Sequence, residues 1–199
     1  DETVAFGRAK ADAFGATNIV WATGSAEAAE LDGPFELIAV GNAFHRLDRM
    51  AVARRMREWL APGGAVALLW ADTPSQGDQR WQTVLEELFV KWITKTGTTD
   101  RIPGGWRADL EGERHERVLR RAGFDYIGKF EFRAEQIWTV ETLIGFAHST
   151  SILNRNALGD MASDFEGDLA DCLGASTSDG TFRQSITYAY ELARNTSKA

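Results

Sequence analysis

The sequence predicts a doubly wound α/β fold built on a mostly parallel sheet, and three observations carry that expectation. Phe35-Glu36-Leu37-Ile38-Ala39-Val40 and Ala65-Val66-Ala67-Leu68-Leu69-Trp70 are short apolar runs of strand length. Between them Val52, Met56, Trp59 and Leu60 recur at helical spacing, with Arg54, Arg55, Arg57 and Glu58 on the opposite, wet side and Asp48 placed to cap the start. Pro62-Gly63-Gly64 then stops the helix. Strand, helix and strand in that order form a βαβ crossover, which makes the two strands parallel neighbours.

The remaining elements follow along the chain. Val4 to about Phe14 reads as a weak helix with acids in its first turn, and Asn18-Ile19-Val20-Trp21-Ala22 as a short apolar strand turned by Thr23-Gly24-Ser25. Trp81, Val84, Leu85, Leu88 and Trp92 give a strongly periodic helix. Residues 95–112 form a long Gly-, Thr- and Trp-containing loop of the kind that serves as a lid. A short helix near Glu113 to Arg121 stops at Gly123, and a strand runs from Phe124 to about Phe132. Thr139 caps a further helix, while Met161, Phe165, Leu169, Cys172 and Leu173 give another apolar stripe, so residues 139–175 read as a small helical insertion. After a Gly/Ser/Thr run, Ile186, Tyr188 and Tyr190 alternate with Thr187 and Ala189 in a closing strand. No internal repeat interrupts a single domain over 1–199.

Composition narrows the function. The 199 residues are 44% hydrophobic and 26% charged, ordinary for one well-buried globular core, and no apolar run approaches a membrane span. A net charge of -7 works against binding phosphate backbones, which disfavours nucleic acid as a partner. Cys172 is the only cysteine, so neither an intramolecular disulfide nor a thiolate-rich metal site can form, and its expected role is a small buried hydrophobe. With no charged-then-apolar leader the expected location is the cytoplasm.

The stretch Pro34 to Trp70, through its Phe35 strand, its Gly41-Asn42-Ala43-Phe44-His45 corner and Pro62-Gly63-Gly64, resembles the second half of a class I S-adenosylmethionine-dependent methyltransferase of the methyltransferase 11 type. The resemblance covers about three quarters of the chain. It implies a Rossmann-like sheet whose last strand is antiparallel, a helical insertion before that strand, S-adenosylmethionine as cofactor and a small, fairly apolar molecule as substrate. Thr23-Gly24-Ser25-Ala26-Glu27 is similar to the corner that meets the adenine ring. Ser25 stands where the family usually has aspartate, and the Ala26 N–H is placed to reach a ring nitrogen. Asn42, Ala43 and Phe44 match the corner that approaches the methionine part of the cofactor.

Methyl transfer from a sulfonium depends chiefly on alignment, and a base is needed only for acceptors that carry a proton. His45, at the C-terminal end of a parallel strand, is the candidate base. Trp70, Trp106 and His148 are the candidate substrate contacts, whereas Trp59, Trp81 and Trp92 fall on helical apolar faces and read as core. His115 lies on a charged helix and reads as solvated.

The family's glycine-rich loop and first strands have no counterpart before Asn18, so the N-terminal strands of the sheet are missing from the reading. Removing a central strand leaves unpaired edges. The readings left open are an upstream segment, a rearranged domain, or a sheet completed by another chain, including a second copy as a homodimer. The alternative function is a noncatalytic methyltransferase-like fragment or partner subunit that does not bind the cofactor alone. A different nucleotide-binding α/β enzyme is disfavoured because no G-x-G-x-x-G follows a strand.

Overall fold

A computed structural model describes residues 2–101, 113–174, 176–177 and 179–196. In chain order the elements are α1 (Glu2–Ala13), β1 (Phe35–Gly41), a 3-10 turn (Phe44–Arg46), α2 (Arg49–Trp59), β2 (Leu60–Ala71), α3 (Arg80–Thr96), a second 3-10 turn (Thr98–Arg101), α4 (His115–Arg121), β3 (Phe124–Trp138), α5 (Val140–Ser149), the single turn α6 (Arg155–Leu158), α7 (Ala162–Gly174) and β4 (Phe182–Asn195). The strands form one sheet in the order β1-β2-β4-β3. β1 and β2 are parallel, with Val40 opposite Leu68, and β4 runs antiparallel to both β2 and β3. Three strands therefore share one direction and only the last opposes them, as the sequence predicts.

The crossover forms for the expected reasons. The Asp48 carboxylate accepts from the Ala51 N–H at 2.9 Å and caps α2, whose Val52, Ala53 and Met56 are buried. These pack with Phe44, Leu60, Val66, Leu68, Val118, Leu119, Ala122, Phe124 and Ala193 in a core between α2, α4 and one face of the sheet. A second core lies among α3, α5, α6 and α7, and gathers Trp81, Leu85, Trp92, Leu143, Leu158, Phe165, Leu169 and Phe182. The two helices at its centre are pinned by Asp168 of α7, which accepts from Lys91 Nζ at 2.6 Å and from Trp92 Nε1 at 2.9 Å on α3.

Four local readings differ from the structure. Asn18 to Ala22 is not a strand: it follows α1 without entering a ladder, and Val20 is 96% exposed, because no neighbour among the described residues takes its backbone hydrogen bonds. Pro62-Gly63-Gly64 is not a helix stop but a bulge inside β2. The register jumps from Phe35 opposite Leu60 to Leu37 opposite Ala65, and Gly63 takes φ 80, open to glycine without strain. Cys172 is exposed: the buried stripe of α7 runs Phe165, Leu169, Leu173, which leaves Cys172 beside it. β3 continues to Trp138, because β4 is long enough to pair with it along its whole length. Of the proposed lid, 102–112 lies outside the described residues.

Alternation along the strands divides the sheet into unlike faces. Val66, Leu68 and Trp70 point to the helices, while Ala65, Ala67 and Leu69 point away with Leu37 and Ala39 of β1 beside them. The second face stays apolar across β4 and β3, where Tyr190 stacks on Phe130 at 5.0 Å and Tyr188 on Phe132 at 5.4 Å. Leu37 is 57% exposed there, Leu69 41% and Phe132 56%.

Candidate functional site

Two corners meet at the C-terminal end of the parallel pair, the one that follows β1 and the turn at residues 24–27 that precedes β1 in the chain. The β1 chain leaves the sheet through Asn42, whose N–H still donates to Leu69 O at 2.7 Å and whose φ of 48 turns the backbone left-handed, a conformation Asn tolerates better than most residues. Two residues on, Phe44 is buried in the core and fixes the corner from beneath, leaving Asn42 exposed and Ala43 half-buried at the rim. A Cβ placed on Gly41 would meet nothing within 4 Å, so space is open beside the turn.

The other corner folds onto the same edge. Ser25 Oγ donates to Glu27, and Glu27 Oε1 accepts from the Asp48 N–H at 3.1 Å, which clamps the turn of Gly24, Ser25 and Ala26 against the start of α2. The hydrogen bond from Ser25, followed by backbone N–H groups, holds the Glu27 carboxyl below the usual carboxylate range. A Cβ placed on Gly24 would likewise meet nothing within 4 Å, and Ala26 packs against the core below.

His45 is half-buried on the 3-10 turn. Burial first, then the charges of Arg46 and His115, push its pKa below the ordinary imidazole value, so the ring is neutral near pH 7. Trp70 closes the end of β2. Beside it an open groove of about 480 Å³ runs along β3 and β4, lined by Asp72, Lys129, Glu131, Phe132, Arg133 and Thr187. Lys129 Nζ lies 5.3 Å from the Trp70 ring centre, and Asp72 is fixed by the Thr187 N–H at 2.9 Å.

Not every candidate converges here. His148 belongs to the helical core, where Nε2 meets Glu166 at 2.9 Å and Nδ1 meets Leu153 O at 3.0 Å; both nitrogens are engaged within that unit. Trp106 lies outside the described residues. Trp81 and Trp92 are buried, and Trp59 is half-buried under the Arg55 guanidinium at 5.0 Å.

Sequence reasoning missed a polar cluster beneath Trp70. His115 is not solvated: its side chain is 12% exposed, and Nδ1 faces Glu191 Oε1 at 3.5 Å. The ring is held edge-on by Phe44 at 5.2 Å and by Trp70 at 5.9 Å. The Tyr126 phenol faces the same carboxylate. Burial pushes the Glu191 carboxyl up, but the hydrogen bonds from His115 and Tyr126, with the charges of His115 and Lys129, outweigh it and leave the group below its usual range. Burial and the Glu191 charge together raise the Tyr126 phenol well above its ordinary value. The signal available in the sequence was Glu191 itself, which shares the strand phase of Ala189 and Ala193.

No protein-family model and no curated protein sequence matches the chain. Solved structures do. A candidate methyltransferase from Bacillus halodurans C-125 superposes with a TM-score of 0.51 at 13% identity, over 99% of this chain and 80% of that one. A candidate type II methyltransferase from Anaeromyxobacter dehalogenans gives 0.51 at 16% identity, over 89% and 72%. The [4+2]-cyclase SpnF gives 0.50 at 16% identity, over 96% of this chain and 61% of that one. At such identities the likeness is one of fold: the chain has the Rossmann-like fold of class I methyltransferases. A cyclase among these neighbours makes plain that the fold does not by itself fix the reaction.

Proposed function

We propose that this chain is an S-adenosylmethionine-dependent methyltransferase that acts on a small, fairly apolar molecule, with the cofactor held at the Gly24, Ser25, Ala26 corner and the Asn42, Ala43, Phe44 corner. The observation that carries the reading is the left-handed turn at Asn42, at the C-terminal end of a parallel strand and beside open space at Gly41, in a chain of methyltransferase fold. Open α/β sheets take their ligands at such strand ends. The residues fit the two ends of the cofactor these corners would meet: Gly24 and Gly41 leave room for it, and Ser25 is already oriented by Glu27. Among the described residues no glycine-rich turn follows a strand before β1, so the N–H cradle for the cofactor carboxylate is not among them.

When bound, the cofactor supplies an electrophilic methyl group. The chain's own part is orientation. Phe44 anchors the corner, Trp70 offers an aromatic wall to an apolar acceptor, and His45, neutral near pH 7, is the proposed base for an acceptor that carries a proton. Absence of net positive charge suits a neutral small molecule better than a polyanion. No described helix is long and apolar enough to cross a membrane.

Calorimetric titration with S-adenosylhomocysteine tests the cofactor site. Micromolar binding is expected. Gly41→Val should weaken it about tenfold, by roughly 1.4 kcal/mol, while leaving the thermal midpoint in place, since the added group enters open space. No heat and no thermal shift would overturn the reading in favour of a noncatalytic partner subunit, which the edge of β1, unpaired among the described residues, favours. His45→Ala should slow turnover of a proton-bearing acceptor with cofactor affinity intact; unchanged turnover would remove His45 from the chemistry.

A further inference from the structure

The chain carries a net charge of -7, yet its cations are not spread evenly. α2 and α4 lie side by side on the cored face of the sheet, joined at one end by Arg49 Nη1, which donates to Glu113 O at 2.7 Å. From 46 to 57 and from 114 to 121 every permanent cation is an arginine, and no lysine falls in either segment. Arg54, Arg114, Arg117, Arg120 and Arg121 are exposed. Arg120 Nε pairs with Glu116 at 3.0 Å and Arg121 with Glu113 at 2.5 Å. The guanidinium groups of Arg54, Arg114 and Arg117 have no ion-pair or hydrogen-bond partner among the described residues. Asp48 is used as the cap of α2, so of the acids on this surface Glu58 alone among the described residues stays outside a pair or a cap.

The arrangement is a row. Arg114, Arg117 and Arg120 follow one another at three-residue steps, about 4.5 Å of helix rise each, and with Glu116 they line an open notch of about 340 Å³. Val118 and Leu119 of the same helix are buried beneath them. At the far end of α4 the Arg57 guanidinium lies against Gly123, where a Cβ would come within 2.7 Å of it, and its buried Nε has no partner among the described residues. A further positive charge is thus held at the seam of the two helices without a carboxylate beside it. The exposed acids gather elsewhere, at Glu86 and Glu87 on α3 and at Asp164 and Asp171 on α7.

We propose that the outer face of α4 is a docking surface for an acidic segment of a partner protein, whose carboxylates are taken by the forks of Arg114 and Arg117. Guanidinium rather than ammonium throughout suits an oxyanion held by two parallel bonds. The surroundings select among anionic partners. Nucleic acid carries its charge without gaps, whereas Glu113 and Glu116 interrupt this row and a net charge of -7 repels a long polyanion. A lipid surface takes helices that expose apolar residues beside their cations, and those of α4 are buried. A protein segment with discrete carboxylates meets both conditions, since it can set neutral residues opposite the two glutamates. Complementary charge of this kind also orients the partner as it arrives. His115, the first residue of α4, touches Phe44 and Trp70, so a partner laid along this helix sits next to the candidate site. The inference goes beyond the methyltransferase reading and does not depend on it.

The test uses a fluorescein-labelled synthetic helix that carries glutamates along one face, mixed with the whole chain and followed by fluorescence anisotropy. Anisotropy should rise at low salt and the rise should vanish near 1 M salt, where charges more than about 3 Å apart are screened. Arg114→Gln with Arg117→Gln should weaken binding about tenfold. Arg8→Gln with Arg183→Gln changes net charge equally at exposed positions on α1 and β4, and should leave binding within about twofold. Equal weakening by the two pairs would reduce the effect to net charge and overturn the proposal. On the wild-type chain, an anisotropy that does not rise, or a tighter hold on a DNA duplex or on anionic vesicles than on the peptide, would overturn it as well, and these readings need no variant to fold. Sedimentation showing that the chain associates with itself at low salt, and that Arg114→Gln with Arg117→Gln abolishes this, would assign the surface to a second copy instead.

Discussion

Glu191 shows how one side chain connects stability to the site. A buried carboxylate persists only where partners replace its water, and here His115, Tyr126 and Lys129 do so. Its pKa lies lower in the folded chain than in the unfolded one. The stabilisation is therefore present above the unfolded carboxylate value of about 4.3, and is lost as pH falls through the lower folded value. Glu191→Gln should cost about 2 kcal/mol at pH 7 by denaturant midpoint, and the gap to wild type should close below about pH 4 as the wild-type carboxyl takes up its proton. A gap of constant size across that range would mean the loss is one of packing. Glu191 is legible in outline, as an acid in the phase of small buried residues. His115 is not, because the charge pattern of Glu113 to Arg121 describes the outer face of α4, while its first residue turns inward under Phe44.

The elements divide by whether their partners are present. β1, α2 and β2 are legible because a crossover closes its own hydrogen bonds and buries its own stripe. The cap is a measurable part of that unit. Asp48→Ala removes the bond to Ala51 N and should cost about 1 kcal/mol in denaturant midpoint, whereas Asp48→Asn should keep most of it. Leu68→Ala, in the middle of β2 and 1% exposed, should cost about 2–5 kcal/mol by the same measurement. The corner of Gly24 to Glu27 reads in sequence as the end of a strand, yet the segment before it is extended without a ladder. Composition reports that Ile19 and Val20 suit a strand and is silent on whether a neighbour is there to receive them. Pro62-Gly63-Gly64 misleads for a related reason: the same residues that end a helix also make a bulge, and only the pairing with β1 decides.

At the scale of the molecule, one face of the sheet is cored by α2 and α4, while the other is closed at the start of β4, where Phe182 enters the second core, and lies open among the described residues over Leu37, Leu69, Phe130 and Phe132. Parallel sheets are ordinarily covered on both faces, and among the same residues the edge of β1 is unpaired as well. An apolar face contributes to stability only through what it buries. Changes there should act differently from changes of the same chemistry one residue away. Leu69→Lys, on the open face, should shift the denaturant midpoint by no more than about 0.5 kcal/mol, while Leu68→Lys, on the cored face, should prevent folding. The open face should also bind a hydrophobic dye such as anilinonaphthalene sulfonate in the folded state, and Leu37→Lys with Leu69→Lys should reduce that signal without moving the midpoint. A dye signal indifferent to both substitutions, or a large loss of stability from Leu69→Lys, would mean that this face is already packed against something in the folded chain. The helix-covered core would then no longer be what alone holds the sheet.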